Sequence, residues 1–418
     1  MKSHNSIVLL LLCISMFYAS VARIPEASES WGYVEVRPKA HMFWWLYSSP
    51  YRVEDPSKPW PIILWLQGGP GDSGVINGNF LEIGPLDFDL RPRNSTWLKK
   101  ADLLFVDNPV GVGFSYVEEE TLLVKTDEEA AADLTTLLIE IFNRNESLQK
   151  SPLFMVGESY GGKFAVTLAL STLKAIQAEK LKLKLGGVAL GNSWISPEDF
   201  VLSWGPVLKD ISRLDDNGLQ ESNRLAEEFK KKISEGKYLD AMDLWDTLQR
   251  AILYSSNWVD VHNFLLDDPM DPISSSSATE LLQPKALRRY SKYLSSLKSK
   301  EYADANEEDF INDVDELLAA GVNVTIYNGQ VDLMCCTKGV HAWVEKLKWA
   351  YLKSFQSVRR TPLYCGDDEA TKGFSKSFKN LHFYWILNAG HHVPIDQPCI
   401  SLKMAGEITG SPATSASI

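Results

Sequence analysis

Basic residues are the minority charge in this chain, and histidines and cysteines are scarce. Its 418 residues carry 42 Lys and Arg against 54 Asp and Glu, a formal net charge of −12, with 7 His and 5 Cys. Lysines are scattered, and runs such as Lys230-Lys231-Lys232 and Lys180 to Lys184 fit solvated helix faces, so no groove for nucleic acid is expected. The sequence has no P-loop, no dinucleotide fingerprint and no zinc spacing, and neither a cofactor nor a metal is expected. Only one long apolar run occurs, Ile7 to Phe17, after Lys2 and before the small residues Ala19-Ser20-Val21-Ala22. That pattern predicts a signal peptide over 1–22 and entry into the secretory pathway; no second run predicts a membrane span after its removal. With 45% hydrophobic and 11% aromatic residues the chain can bury a large core, which suits one large α/β domain with an insertion.

The most telling segment present is Met155-Val156-Gly157-Glu158-Ser159-Tyr160-Gly161-Gly162-Lys163, which sets a serine between two glycines where a strand, Leu153 to Val156, gives way to a helix, Lys163 to Leu173. The Gly-x-Ser-x-Gly spacing allows a turn sharp enough to expose the Ser159 hydroxyl above a sheet, a nucleophile elbow. A serine is a weak nucleophile alone and needs a base held by an acid, which such sites supply in the chain order Ser, Asp or Glu, His. The strand Val322 to Tyr327 runs into Asn328-Gly329-Gln330-Val331-Asp332, and Leu381 to Leu387 runs into Asn388-Ala389-Gly390-His391-His392. Ser159, Asp332 and His391 therefore form a candidate catalytic triad, each just past an expected strand end. A third glycine-rich turn, Gly68-Gly69-Pro70-Gly71, follows the strand Ile62 to Leu66 and can bring bare backbone N–H groups against a substrate.

Together these segments resemble the serine carboxypeptidase family, in particular its retinoid-inducible and plant carboxypeptidase-like branch, over nearly all of the chain after residue 22. The blocks that carry the resemblance are Trp65 to Gly71, Leu81-Glu82-Ile83-Gly84-Pro85, Asp107 to Ser115, the elbow and Gly390 to Pro394. The resemblance implies an α/β-hydrolase fold: a mostly parallel central sheet flanked by helices, with an inserted helical lid. It implies oxyanion-hole N–H groups at Gly69 and Tyr160, where losing one donor typically costs roughly 3–4 kcal/mol of transition-state stabilisation. It also implies that Gln67, Gly68, Glu82 and Glu158 bind the free carboxylate of a peptide. Two acids beside a substrate carboxylate cannot all be ionised cheaply, so one holds a proton and binding should weaken as pH rises. An acidic setting fits, hence an extracellular or vacuolar or lysosomal location. Three positions depart from the family: Gln67 stands where asparagine is frequent, Asp72-Ser73 where Cys-Ser is frequent, and His392 where methionine is frequent.

Strands are expected at Gly32 to Arg37, Met42 to Tyr47, Ile62 to Leu66, Leu103 to Asp107, Leu153 to Val156, Gly187 to Leu190, Val324 to Tyr327 and His382 to Leu387. From Ser196-Pro197-Glu198-Asp199, a helix start, the pattern turns amphipathic, with helices expected over Leu214 to Lys232, Ala241 to Tyr254 and Asn257 to Leu266. This divides the chain into a first core part over 23–195, a lid over 196–310, a second core part over 311–410 and a tail over 411–418. The end of the lid, Ser295 to Glu308, is polar, and the lid is shorter than the family usually carries. Four cysteines remain after loss of Cys13 and allow three pairings; Cys365 with Cys399 is preferred, since both flank the strand before His391. Asn-x-Ser/Thr sites at Asn94, Asn145 and Asn323 fit glycosylation, although Asn323 opens an expected core strand.

The function these residues imply is a hydrolase that releases C-terminal residues from peptides through an acyl-Ser159 intermediate. An acyltransferase would use the same triad on an acyl ester, with an alcohol or amine replacing water. A non-catalytic binding protein could keep the fold, but would have no chemical reason to keep Ser159, Asp332, His391 and the Gly68-Gly69 loop together. Nothing in the sequence fixes an oligomeric state.

Overall fold

The computed structural model describes residues 28–53, 55, 57–267, 307–366 and 369–411. The expected signal segment 1–22, residues 268–306 of the expected lid and the expected tail from 412 lie outside the described residues.

Continuous apolar runs build the centre of the sheet. Strands β1 (Ser28–Arg37) and β2 (Ala40–Ser48) open the described chain as an antiparallel hairpin. They are followed by β3 (Ile62–Leu66) and β4 (Asp102–Val106), in which every residue is buried, as strands covered on both faces must be. The two-residue β5 (Tyr116–Val117), then β6 (Pro152–Glu158), β7 (Lys184–Gly191), β8 (Val324–Gly329), β9 (Thr361–Leu363), β10 (Gly373–Phe378) and β11 (Leu381–Ile386) complete the set. The spatial order is β1-β2-β4-β3-β6-β7-β8-β11-β10-β9, with β5 paired to β2 off this path. From β4 to β11 the neighbours are parallel, and the antiparallel pairs lie towards the two edges. This is an α/β-hydrolase fold.

Side chains alternate between the two faces with the period of a strand. Ile62, Leu64 and Leu66 join Leu153, Met155 and Leu190 in one apolar cluster, whereas Ile63 and Trp65 join Phe105, Val156 and Ala189 in the other. Helices Asp127–Asn143 and Gly161–Gln177 cover the first face, through Leu134, Leu137, Phe164 and Leu168. The helix Pro398–Thr409 covers the second, through Ile400, Met404 and Ala405. Beside it, Cys365 and Cys399 form a disulfide with a Cα–Cα distance of 6.0 Å, and Cys335 and Cys336 are buried free thiols.

Between β7 and β8 the described residues form four helices, Pro197–Asp210, Asp216–Ser234, Tyr238–Ser255 and Glu307–Ala319. The first begins as expected, with Ser196 at the cap and Pro197 in the first turn, where a missing N–H costs nothing. The helix expected over Asn257 to Leu266 is not formed. Asn257 and Trp258 have φ of 57° and 64°, which right-handed helix excludes. Asp260 and Asn263 accept hydrogen bonds from the N–H groups of His262 and Leu265, local bonds that compete with a helical ladder. The segment is instead tied to the loop after β8, since Phe264 N–H donates to Val331 O at 2.9 Å and Leu333 N–H to Val261 O at 3.1 Å. Strands β9 and β10 are also additional to the sequence reading. They extend the sheet beyond β11 as a partly exposed antiparallel edge with a weak apolar signal.

Candidate active site

Strand β6 delivers Ser159 into the left-handed region, φ 57°, directly before the helix Gly161–Gln177. Only flanking glycines permit this: a Cβ on Gly157 would sit 2.1 Å from Gly161 O, and one on Gly161 would sit 2.1 Å from Leu66 O. Backbone bonds fix the strained residue from both sides, Ser159 N–H to Gly191 O at 3.0 Å and Trp194 N–H to Ser159 O at 2.9 Å.

The loops after β8 and β11 are locked together by Val331 N–H to Ala389 O at 2.8 Å and Gln330 N–H to Ile386 O at 2.9 Å. That pairing brings residues 59 apart in sequence into contact: His391 Nδ1 lies 2.8 Å from Asp332 Oδ2, with both side chains buried. With Nδ1–H donating to the carboxylate, Nε2 is left as the acceptor that a base needs. Asp332 also accepts from Cys335 N–H at 3.2 Å and from Asn192 Nδ2 at 2.6 Å. Asn192, fully buried just past β7 with φ 41°, in turn accepts Gly329 N–H at 3.2 Å. Its role was not legible in the sequence; the one local signal was an Asn directly after a glycine at an expected strand end.

The glycine-rich turn after β3 lies against the elbow. A Cβ on Gly68 would be 2.6 Å from Ser159 Cβ and 2.8 Å from Tyr160 N, so only glycine allows the approach. The turn is held from β4, whose following residue Asp107 accepts Ser73 Oγ–H at 2.5 Å, Val75 N–H at 3.1 Å and Phe114 N–H at 2.7 Å. The π-helical segment Gly74–Ile83 then carries Glu82 back into the site.

There Gln67 Nε2 donates to Glu82 at 3.2 Å and to Glu158 at 3.0 Å, while Trp65 Nε1–H fixes the amide by donating to Gln67 Oε1 at 2.6 Å. Both glutamates are buried, and among the described residues the second oxygen of each has no hydrogen-bond partner. Burial and the neighbouring Glu82 charge push the Glu158 carboxyl well up, so it keeps a proton that an exposed glutamate would lose. Burial pushes Glu82 the same way, but His392 outweighs it and holds Glu82 low. In the sequence His392 stands out only as a departure from the family; the structure places its Nδ1 3.0 Å from Glu158 and 3.7 Å from Glu82.

His262, from the loop wrongly expected to be helical, adds a third imidazole. Its ring lies 5.2 Å from that of His391 and 6.0 Å from that of His392, and its carbonyl accepts His391 N–H at 2.8 Å. Asn94, Asn145 and Asn323 are all exposed; Asn323 lies just before β8 rather than within it. Among the described residues no helix is long and apolar enough to cross a membrane.

Residues 21–410 match the family of serine carboxypeptidases, peptidase S10. The chain is 56% identical to serine carboxypeptidase-like 51 of Arabidopsis thaliana, covering 93% of each chain. It is 42% identical to the retinoid-inducible serine carboxypeptidase of Mus musculus over 93% of this chain and 92% of that one. A crystal structure of Kex1, a prohormone-processing carboxypeptidase from Saccharomyces cerevisiae, shares the fold with a TM-score of 0.71 and 22% identity, covering 92% of this chain and 91% of that chain. The chain belongs to the serine carboxypeptidase family.

Proposed function

We propose that Ser159 is the nucleophile, His391 the general base and Asp332 the acid that orients it, in an enzyme that removes one residue at a time from the C-terminus of peptides. His391 Nε2 takes the hydroxyl proton as Ser159 Oγ attacks the last peptide carbonyl. The N–H groups of Gly69 and Tyr160 receive the oxyanion, and His391 returns the proton to the departing amine. A water then repeats the sequence on the acyl-serine and frees the shortened peptide.

The observation that supports an exopeptidase over a general esterase is the place of Glu158. It adjoins Ser159 in the chain and shares Gln67 with Glu82 through hydrogen bonds of 3.0 and 3.2 Å. A group that binds the terminal carboxylate one residue from the nucleophile leaves room for only the last peptide bond. Gln67, Gly68, Glu82 and Glu158 are assigned to that binding. The helices Pro197–Asp210, Asp216–Ser234 and Tyr238–Ser255 are assigned to a lid. The proposed setting is an acidic compartment of the secretory route or the exterior, with glycans at Asn94, Asn145 and Asn323.

The test is release of the C-terminal residue from N-blocked dipeptides between roughly pH 4 and 7.5, where carboxyl and imidazole groups titrate, with Ser159→Ala as control. Release strongest at acid pH and lost in the variant is expected. No release, with Ser159 still labelled by an organophosphonate fluoride, would overturn the substrate class and leave the triad standing.

A further inference from the structure

We infer that His392 is itself a substrate-binding residue, whose imidazolium Nε2–H meets the C-terminal carboxylate of the peptide at the mouth of the Glu82–Glu158 pair. This rests on the carboxypeptidase reading above and adds a cation to it. The two glutamate side chains are 0% and 1% exposed, whereas that of His392 is 34% exposed, so His392 is where the cluster meets solvent. Its Nδ1 is engaged by Glu158 at 3.0 Å and faces Glu82 at 3.7 Å, and Nε2 has no partner among the described residues. The ring is thus held by one nitrogen and offers the other.

Charge balance gives the reason. Facing His392 are Glu158 at the end of β6, Glu82 of the Gly74–Ile83 segment, the rings of His262 and His391, and behind the glutamates the buried phenol of Tyr327. Burial acts to lower the His392 imidazole, but the two carboxyls outweigh it and push it up, so it is charged where an isolated histidine is neutral. With Glu82 ionised, Glu158 holding a proton and His392 charged, the cluster is neutral and presents two donors, the Glu158 O–H and His392 Nε2–H. An incoming carboxylate is then bound without a surplus negative charge. Without His392 the same pair sharing one proton would carry a net −1 and repel the substrate, and would become neutral only when acid protonates both carboxyls.

The experiment compares His392→Met and His392→Gln with the parental enzyme on two matched N-blocked dipeptides, one with a free and one with an amidated C-terminus. On the free carboxylate at about pH 6.5, KM is expected to rise about 10- to 100-fold, the loss of one charged hydrogen bond, with kcat little changed. The deficit should shrink as the pH is lowered and the second carboxyl of the pair also takes up a proton. On the amide, which lacks the carboxylate and is cleaved only in prolonged assays at high enzyme concentration, variants and parent should have equal kcat/KM. Equal damage to both substrates, or an unchanged KM on the free acid, would overturn the inference and show a structural histidine. No release by the parental enzyme would instead bring down the carboxypeptidase reading, so the two failures are distinguishable. Labelling of the variants by an organophosphonate fluoride shows that the elbow and triad still assemble.

Discussion

At the scale of single residues, the site depends on who holds each charge in place. Asp332 is shared between His391 and Asn192, the latter donating at 2.6 Å from a fully buried position. Asn192→Ala removes a donor to a buried carboxylate, a loss of about 1.5–3 kcal/mol that, expressed on the imidazolium-forming step, lowers kcat roughly 10- to 100-fold. Steady-state kinetics should show the fall in kcat with KM nearly constant, and an equal rise in KM would place Asn192 in binding instead. Gly68 is a second such residue. Its substitution by alanine sets a methyl 2.6 Å from Ser159 Cβ, so activity and organophosphonate labelling of Ser159 should be lost together. Retained labelling would mean that the turn can move aside.

At the scale of elements, the strand-end loops and the helices from Pro197 to Ser255 were legible, and the segment that follows them was not. Ser159, Asp332 and His391 each follow an apolar run, β-branched before Asp332 and aromatic before His391, so the sequence itself marks where they leave the sheet. The strands come out close to expectation because interior parallel strands read as unbroken apolar runs, as β3 and β4 do. The Asn257 to Leu266 segment has helical spacing, yet positive φ at Asn257 and Trp258 and the side-chain caps of Asp260 and Asn263 turn it into a loop. His262 therefore reaches the site through a fold feature that periodicity hides. Asn192 and His392 were equally hidden, because their partners lie 140 and 234 positions away in the chain. The edge element carrying Cys365 is tied to the last helix by the disulfide, which spans 34 positions. Loop-closure entropy for that span predicts a loss of about 3–4 kcal/mol in urea unfolding when both cysteines become alanine. An unchanged midpoint would show that packing alone holds the edge.

For the whole molecule, buried acids draw the pH of greatest stability towards the acid side, against the smaller opposing pull of the buried His262 imidazole. Burial pushes Asp107 and Asp127 up to about 6, above the ordinary carboxyl value. From about pH 4 to 6 the unfolded chain has released these protons while the folded chain still holds them, so raising the pH favours unfolding; above about 6 both states are ionised and the loss is complete. The melting temperature should accordingly be higher at pH 5 than at pH 7, and Asp127→Asn should narrow the difference. A melting temperature that rises from pH 5 to pH 7 in the parental protein would contradict this reading of the buried acids. Stability and the proposed binding then favour the same side of neutrality, since Glu158 must also keep its proton for the proposed carboxylate site to stay neutral.

The central claim is that a carboxylate-binding cluster one residue from Ser159 makes this fold an exopeptidase. Mass spectrometry of a ten-residue peptide, taken at intervals during digestion near pH 5, tests it most directly. The account predicts a ladder of products, each shorter by one C-terminal residue, and an intact peptide when its C-terminus is amidated. Internal fragments, or the same ladder from the amidated peptide, would contradict it.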